Sequence, residues 1–155
     1  MGTISGSNFE YNKAASGGAV YNSKVINMID NTIFKSNEAN DGGAISNANG
    51  TIKTIKNSTF EENNATGTAG AINNTGIIEN IENTLFSKNS TTATNASGAL
   101  DNYGVIQKID GNTFKNNTGT NGAAILNNNI IYDISGTSFE NNISTSYGGA
   151  VTNIG

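Results

Sequence analysis

The six phenylalanines of this 155-residue chain recur at a nearly constant spacing, and each is followed three residues later by asparagine. Successive phenylalanines are 25, 26, 26, 28 and 25 residues apart. The pairs are Phe9/Asn12, Phe34/Asn37, Phe60/Asn63, Phe86/Asn89, Phe114/Asn117 and Phe139/Asn142. A fixed period of this length is typical of repeat architectures, in which each unit buries its apolar face against its neighbours. Residues 1–155 are therefore predicted to form one repeat region.

Each unit fixes further positions besides this pair. An isoleucine stands five residues before every phenylalanine, and an aliphatic residue followed two positions later by asparagine comes after it. These aliphatic–asparagine pairs are Val20/Asn22, Ile45/Asn47, Ile72/Asn74, Leu100/Asn102, Ile125/Asn127 and Val151/Asn153. The step from phenylalanine to the aliphatic residue varies from 11 to 14 residues, whereas the isoleucine-to-phenylalanine step is always five. Variation in length is thus concentrated in one arc of the unit.

The composition of the repeat excludes helical units. Asparagine, threonine, serine and glycine dominate, and these residues are poor in helix interiors. Leucine-rich repeats need several leucines in each unit, and the whole chain has three. Proline is absent, as expected where every inner coil donates hydrogen bonds to both neighbours. The sequence therefore predicts an all-β fold, a single-stranded parallel β-helix (solenoid) of about six coils of 25–28 residues.

In such a solenoid, equivalent residues of successive coils lie above one another, about 4.8 Å apart. The phenylalanine and isoleucine columns are then expected to fill the bore. The asparagine of each Phe-x-x-Asn motif is expected at a turn, in the left-handed backbone conformation, with its amide stacked on the equivalent amides. Glycines such as Gly43, two residues before the aliphatic residue, are expected at a second corner where a Cβ would be crowded or φ is positive.

A tetrapeptide ahead of each aliphatic residue carries a family resemblance. It reads GGAV at Gly17–Val20 and Gly148–Val151, GGAI at Gly42–Ile45, and AGAI, SGAL or GAAI in the units between. Together with Phe-x-x-Asn, it resembles the repeats of chlamydial-type polymorphic outer membrane proteins and of adhesin-like surface proteins in other bacteria and some archaea. The resemblance implies a right-handed β-helix passenger region, usually carried by an autotransporter and displayed on the cell surface. It supplies no catalytic residue.

The ends of the chain predict a piece of a longer exported protein. The repeat register begins by Ile4 without a signal peptide, no terminal membrane barrel follows, and the final GGAVTNIG stops within a unit. Flanking coils of a parent protein are therefore expected as neighbours. The expected location is the cell surface, the outer membrane or the extracellular space.

Charge and composition narrow the function classes. The net charge is −4, arginine is absent and the eight lysines are spread along the chain, which argues against nucleic-acid binding. The absence of histidine and cysteine excludes the usual nucleophilic triads and zinc sites, and no cofactor or metal is expected. No apolar stretch is long enough to span a membrane in this segment.

Acidic residues raise the alternative of a carbohydrate-active β-helix. They share columns with lysines, however: the residue after each phenylalanine is Glu10, Lys35, Glu61, Ser87, Lys115 or Glu140. Mixed charges along a column indicate a solvated face. We therefore expect the acids of this column, and of the column after each isoleucine that contains Asp30, Glu82 and Asp110, on an outer face rather than in a catalytic pair. A lyase or hydrolase would place three or four acids and a lysine together on adjacent coils.

The fourth unit contains extra residues in the variable arc. They are predicted to bulge from the rod as a loop formed by Thr91, Thr92, Ala93, Thr94, Asn95 and Ala96. Loops on a rigid scaffold are where recognition is usually found, so this loop is the predicted partner-contact site. A length variation without function is the alternative.

These features predict a non-enzymatic, surface-displayed repeat segment of an adhesin-like or autotransporter passenger. It would act as a stalk and offer a multivalent adhesion surface to a host-cell surface protein or glycan. Two alternatives remain open: a polysaccharide-binding or lyase-like module with its active coils elsewhere, and a fragment with no independent role.

Overall fold

A computed structural model describes residues 1–155 as 23 short β-strands with no helix. The strands form four parallel sheets, which we name after their position in the repeat. The Ile sheet contains β1 (Thr3–Ser5), β4 (Val25–Asp30), β8 (Thr51–Lys56), β12 (Ile77–Glu82), β16 (Val105–Asp110) and β20 (Ile130–Ser135). The Phe sheet contains β2 (Asn8–Glu10), β5 (Ile33–Lys35), β9 (Thr59–Glu61), β13 (Leu85–Ser87), β17 (Thr113–Lys115) and β21 (Ser138–Glu140).

Two further sheets complete each coil. The arm sheet contains β6 (Glu38–Ala39), β10 (Asn64–Ala65), β14 (Ser90–Thr91), β18 (Thr118–Asn121) and β22 (Ile143–Tyr147). The Asn sheet contains β3 (Val20–Asn22), β7 (Ile45–Asn47), β11 (Ile72–Asn74), β15 (Leu100–Asn102), β19 (Ile125–Asn127) and β23 (Val151–Asn153). The chain visits the sheets in the order Ile, Phe, arm, Asn, and each round is one coil. Coils one to six are residues 1–24, 25–50, 51–76, 77–104, 105–129 and 130–155. The predicted parallel β-solenoid of about six coils is confirmed.

The register of the sheets stacks like on like. Phe60 pairs with Phe34 below and Phe86 above, and the isoleucine column is aligned in the same way. Adjacent phenylalanine rings lie 4.5 to 5.3 Å apart between centroids and are inclined by no more than 10°. These rings and the aliphatic columns form one continuous core of 22 buried residues. One repeat of the sequence therefore forms one coil of the solenoid.

Each coil turns at two corners where the backbone is left-handed, with φ between 46° and 64°. The first corner, two residues after the column isoleucine, is Gly6, Asn31, Asn57, Asn83, Gly111 or Gly136. The second corner, two residues after phenylalanine, is Tyr11, Ser36, Glu62, Lys88, Asn116 or Asn141. The prediction that the Phe-x-x-Asn asparagine itself is left-handed is wrong, because the residue before it takes that conformation. The asparagine is fixed by its side-chain hydrogen bonds.

Those hydrogen bonds form a ladder along the second corner. In coil three, the Asn63 amide nitrogen donates to the Phe34 carbonyl and to Asn89 Oδ1, both at 2.9 Å. Asn63 Oδ1 accepts from the backbone and side-chain nitrogens of Asn37, both at 3.0 Å. One amide thus satisfies polar groups of both neighbouring coils, which a buried corner requires.

Two more polar ladders line the solenoid. The asparagines of the Asn sheet donate from one amide to the next at 2.6 to 2.8 Å, as Asn47 does to Asn74. At the first corner, Ser58 Oγ and Thr84 Oγ1 accept backbone N–H groups from the coil below. The sequence pattern had revealed the positions of the Asn-sheet column but not this bonding.

In the first four coils, the glycine before the Ala-aliphatic pair allows close approach between coils, whereas coil five has Ala123 there and Gly149 of coil six is not crowded. A Cβ on Gly43 would lie 2.1 Å from the Gly70 carbonyl oxygen of the next coil. The crowding expected at this corner is therefore present. Left-handed backbone occurs one residue earlier, as at Gly42, where φ is 62°.

Candidate functional site

The predicted ladder residues lie inside the solenoid. Phe34, Phe60, Phe86 and Phe114 have no exposed surface, and Phe9 and Phe139 in the end coils are partly buried. Asn37, Asn63, Asn89 and Asn117 are equally buried, while Asn12 and Asn142 belong to the end coils. A partner that meets the inner coils from the side therefore touches neither half of the Phe-x-x-Asn motif. Recognition by those coils must use other residues.

Mixed charges cover the outer face of the Phe sheet, as the column pattern predicted. Lys35 Nζ lies 3.2 Å from Glu61, and Lys88 Nζ lies 3.4 Å from Glu61 and 3.2 Å from Glu62. The hydrogen bond from Lys35 lowers the pKa of Glu61, so this carboxylate is held ionised. Exposed ion pairs of this kind contribute little stability. The outer face of the Phe sheet therefore has positive and negative side chains interspersed along the solenoid.

A second group of charges lies on the outer face of the Ile sheet. Lys108 Nζ donates to Asp110 at 2.9 Å, and this hydrogen bond lowers the pKa of Asp110. The register places Asp133 beside Lys108 and Glu82 beside Asp110, on adjacent coils. Three acids and one lysine therefore share a face. The hydrogen bond from Lys108 keeps Asp110 ionised, so Asp110 lacks the raised pKa expected of a general acid.

Neither surface hollow adjoins these acids. One hollow, at the last coil, is lined by Asn127, Ile131, Ile134, Val151 and Asn153. The other lies beside the arm sheet of the first three coils, where Lys13 and Glu38 form an ion pair at 2.7 Å. The structure has no cluster of three or more acidic side chains placed to hold a metal ion. It also has no helix long and apolar enough to cross a membrane.

The loop of coil four is narrower than predicted. Thr91 pairs with Ala65 in the arm sheet and is 6 % exposed, and Ala96 is 1 % exposed. The exposed part is Thr92, Thr94 and Asn95, with Ala93 half-buried. The ends are buried because the chain must return to register before Gly98, whose N–H donates to Ala123 of coil five. Only the four middle residues of the predicted contact loop can reach a partner.

One acid stands outside the mixed-charge columns and does not lie on the surface. Asp101 in β15 has no exposed surface. Its Oδ1 accepts the Ser97 N–H at 2.7 Å, and its Oδ2 has no hydrogen-bond partner. Burial raises its pKa to about 7. The side chain points away from the phenylalanine core, but the arm of its own coil covers it.

A signal for this burial was present in the sequence. The residues in the Asp101 column are Tyr21, Ser46, Asn73, Asp101, Leu126 and Thr152. Leu126, one coil above, is 1 % exposed, and Ser46 and Asn73 are also buried. An aliphatic residue at a nominally outward position indicates that something covers the column. The repeat therefore has a second, smaller interior between the Asn sheet and the arms.

Comparison with protein families finds the same resemblance that the motifs predicted. Residues 136–153 match the Chlamydia polymorphic membrane protein (Chlamydia_PMP) repeat. The matched stretch includes the Phe139/Asn142 pair and the GGAV tetrapeptide of coil six. Comparisons with curated proteins and with solved structures found no match. The sixth coil of this solenoid is thus similar to the polymorphic membrane protein repeat of Chlamydia, and the other five coils place the same residue types at the same positions.

Proposed function

We propose that this chain is a non-enzymatic repeat segment of an autotransporter-type passenger, displayed on the cell surface as a stalk and adhesion surface. The observation that carries the proposal is the match of residues 136–153 to the polymorphic membrane protein repeat. The six-coil architecture supports it, because stacked coils add length while their outer faces repeat the same positions.

The structure suggests how such a segment would bind. The motif residues maintain the core, so the outward columns and the coil-four loop are what a host-cell protein or glycan would meet. Contacts repeated every coil add up by multivalency, since a second contact on the same rod is intramolecular. Thr92, Thr94 and Asn95 interrupt the regular surface and offer polar side chains on a rigid support.

Binding of the purified chain to cultured host cells, with and without enzymatic removal of surface glycans, tests the proposal. A double substitution, Thr92→Lys and Thr94→Lys, is expected to reduce bound protein severalfold if the loop contacts the partner. The matched control is Asn27→Lys with Gln107→Lys, two exposed positions on the Ile sheet. Equal binding by all three proteins would remove the loop from the proposal, and no binding above that of an unrelated solenoid would reject adhesion by this segment.

A carbohydrate-active module is the second candidate, favoured by the acids around Lys108. Glu82, Asp110 and Asp133 lie with this lysine on one face of adjacent coils. The group is open to solvent and joins no hollow. We expect no release of reducing or unsaturated sugars from acidic or neutral polysaccharides. Release that is lost in Lys108→Met with Asp110→Asn would establish this alternative.

A further inference from the structure

Asp101 is buried and cannot touch a partner, so the proposed adhesive role does not use it, although the segment above it contains the proposed contact residues Thr92, Thr94 and Asn95. We define the coil-four arm as residues 92–98, which join β14 to the Asn sheet. The Asp101 side chain is enclosed between β15 and this arm, where Oδ1 accepts the Ser97 N–H. The Ser97 hydroxyl also faces the carboxyl group and favours its ionised form, but burial outweighs both contributions and raises the pKa. The carboxyl group is outside the 22-residue core, so it can be exposed without disturbing the stacked phenylalanines.

Several polar atoms around this carboxyl group have no hydrogen-bond partner. They are Asp101 Oδ2, Ser97 Oγ on the arm, and Asn73 Oδ1 in the same column of coil three. Asp101 Oδ2 and Asn73 Oδ1 can only accept, unless the carboxyl group carries a proton. Burying an unpaired carboxylate is unfavourable, and such a group usually becomes neutral instead.

No charge in the surroundings can offset that of Asp101. Strands β11, β14, β18 and β19 and the coil-four arm contain no titratable side chain. Tyr103, two residues further along the chain, is the one ionisable group coupled to Asp101, and burial followed by the Asp101 charge raises the pKa of that phenol. Because no positive side chain is available, Asp101 becomes neutral in this environment by binding a proton.

We propose that Asp101 is a proton-operated latch: the protonated carboxyl group holds the coil-four arm closed, and its ionisation opens the arm. Protonation gives Oδ2 a hydrogen that it can donate, and the neighbouring unpartnered atoms Asn73 Oδ1 and Ser97 Oγ can both accept. Ionisation leaves a buried charge that regains water when the arm lifts. The latch does not depend on which partner the surface binds.

The arm is suited to open separately from the rest of the solenoid. It is two residues longer than the equivalent segment of coil three, and its apolar side chains are those of Ala93 and Ala96. The contacts of residues 93–95 with coil five are made by side chains: Thr120 Oγ1 donates to the Ala93 carbonyl, and Asn121 donates to Asn95. Backbone hydrogen bonds begin at Ala96, whose carbonyl accepts the N–H groups of Thr120 and Asn121, so the arm opens by breaking polar contacts. Segments with few buried apolar contacts open at low free-energy cost.

The direction of the pH effect follows from the two states. In the closed arm the pKa of Asp101 is about 7, and in the open arm this pKa returns toward 3.8. The open state therefore binds fewer protons than the closed state between these values. Opening is favoured as pH rises from about 4 to about 7, by about tenfold for each pH unit, and it levels off above 7.

Hydrogen–deuterium exchange of the whole chain, compared with Asp101→Asn at the same pH, tests the latch. The comparison at equal pH cancels the intrinsic pH dependence of exchange. Asn73 occupies the equivalent position in coil three, so the substituted amide fits the column and stays neutral. At pH 4 the two proteins should exchange alike in the arm, and by pH 7 the wild-type arm should exchange at least tenfold faster.

The coil-three arm, residues 66–70, is the internal control, because its column residue is neutral. Faster exchange confined to the coil-four arm supports the latch. Equal rates in both proteins at every pH would overturn it, and so would equal acceleration in both arms, which would indicate global loosening. Asp101→Ser, which copies Ser46 of coil two, repeats the test if the asparagine variant folds poorly.

Discussion

Asparagine has two structural roles in this chain, and each role is filled by a different set of asparagines. At corner positions such as Asn57 and Asn83, it adopts a left-handed backbone that other residues adopt at greater cost. In the ladders, as at Asn63, its amide donates and accepts between coils. The corner positions also accept glycine, serine, lysine or glutamate, whereas the ladder position is asparagine in all six coils.

Replacing a ladder asparagine should therefore be costly. Asn63→Ala leaves the Phe34 carbonyl and the Asn37 N–H without partners in a buried corner. Each buried unsatisfied group costs about 1–3 kcal/mol, so we expect a loss of roughly 2–5 kcal/mol in the free energy of unfolding. Urea denaturation measures it. The control is Asn64→Ala, at a half-buried position whose Oδ1 accepts one bond from Ser90; an equal loss there would contradict the ladder's role.

Asp101 gives the stability a pH dependence of its own. Its pKa is about 7 when folded and 3.8 when exposed, so the folded state holds the proton more tightly. The contribution of protonated Asp101 to the free energy of unfolding is therefore complete below about pH 4 and is lost as the pH rises to about 7. The difference corresponds to on the order of 4 kcal/mol, an upper value because opening the arm relieves part of it.

Asp101→Asn should remove this dependence. We expect the variant to match the wild type near pH 4 and to be more stable at pH 7.5, as measured by thermal unfolding at both values. Asp110→Asn is the control, because that carboxylate is exposed and paired with Lys108. A wild type that exceeds Asp101→Asn in stability at pH 7.5 would show that the carboxylate is stabilised in a way the structure lacks.

At the scale of elements, the strands are too short to be stable alone and depend on pairing with both neighbours. Most strands have two or three residues, and those of the Ile sheet have up to six. Their side chains alternate between the bore and the outer face, so one three-residue strand contributes a single phenylalanine to the core. The ring column is thus the main apolar contact of the Phe sheet.

Truncating one ring should depend on its place in the column. Phe86 lies between two rings, at 4.9 and 4.5 Å, whereas Phe9 in coil one stacks on Phe34 alone, at 5.1 Å. Phe86→Ala is expected to cost about 3–5 kcal/mol, in the range for buried phenylalanine, and Phe9→Ala clearly less. Equilibrium denaturation of both variants gives the comparison. Equal costs would mean that the end coils are packed as tightly as the centre.

At the scale of the whole molecule, the solenoid is built of units that contact their nearest neighbours. Stability is then close to a sum of coil and interface contributions. Thr51 and Ile77 hold equivalent positions in adjacent coils, as their pairing shows. If a whole coil is removed, the coils on either side of it can therefore pair through the same repeat positions.

Deleting residues 51–76 should leave a folded five-coil rod. The junction of Gly50 with Ile77 restores the register, so we expect an unchanged β-type circular dichroism spectrum and a lower unfolding temperature. Deleting residues 51–63, half a coil, should abolish cooperative unfolding because the Phe and Asn sheets no longer align. A full-coil deletion that unfolds the protein would show that coil three holds contacts beyond its neighbours.

The coil number, the parallel stacking and the residues that fill the bore could all be predicted from the repeat. Columns such as Phe60 and Ile55 repeat at one period, and only stacked coils bury such columns together. The same spacing located the corner after each phenylalanine to within one residue, because the left-handed residue precedes the asparagine. These features depend on residues that recur in every coil, so the repeat pattern is sufficient to predict them.

The residues that the arms cover could not be predicted from the repeat, because they depend on how each arm folds back over its coil. Asp101 and Leu126 stand at positions that point away from the bore, and a single strand gives no sign that a segment folds back over them. The same closure buries Thr91 and Ala96 and narrows the exposed loop. Burial there depends on the path of the variable arc, which is set by contacts between coils rather than by the repeat. For this reason the sequence located the core and missed the buried carboxyl group.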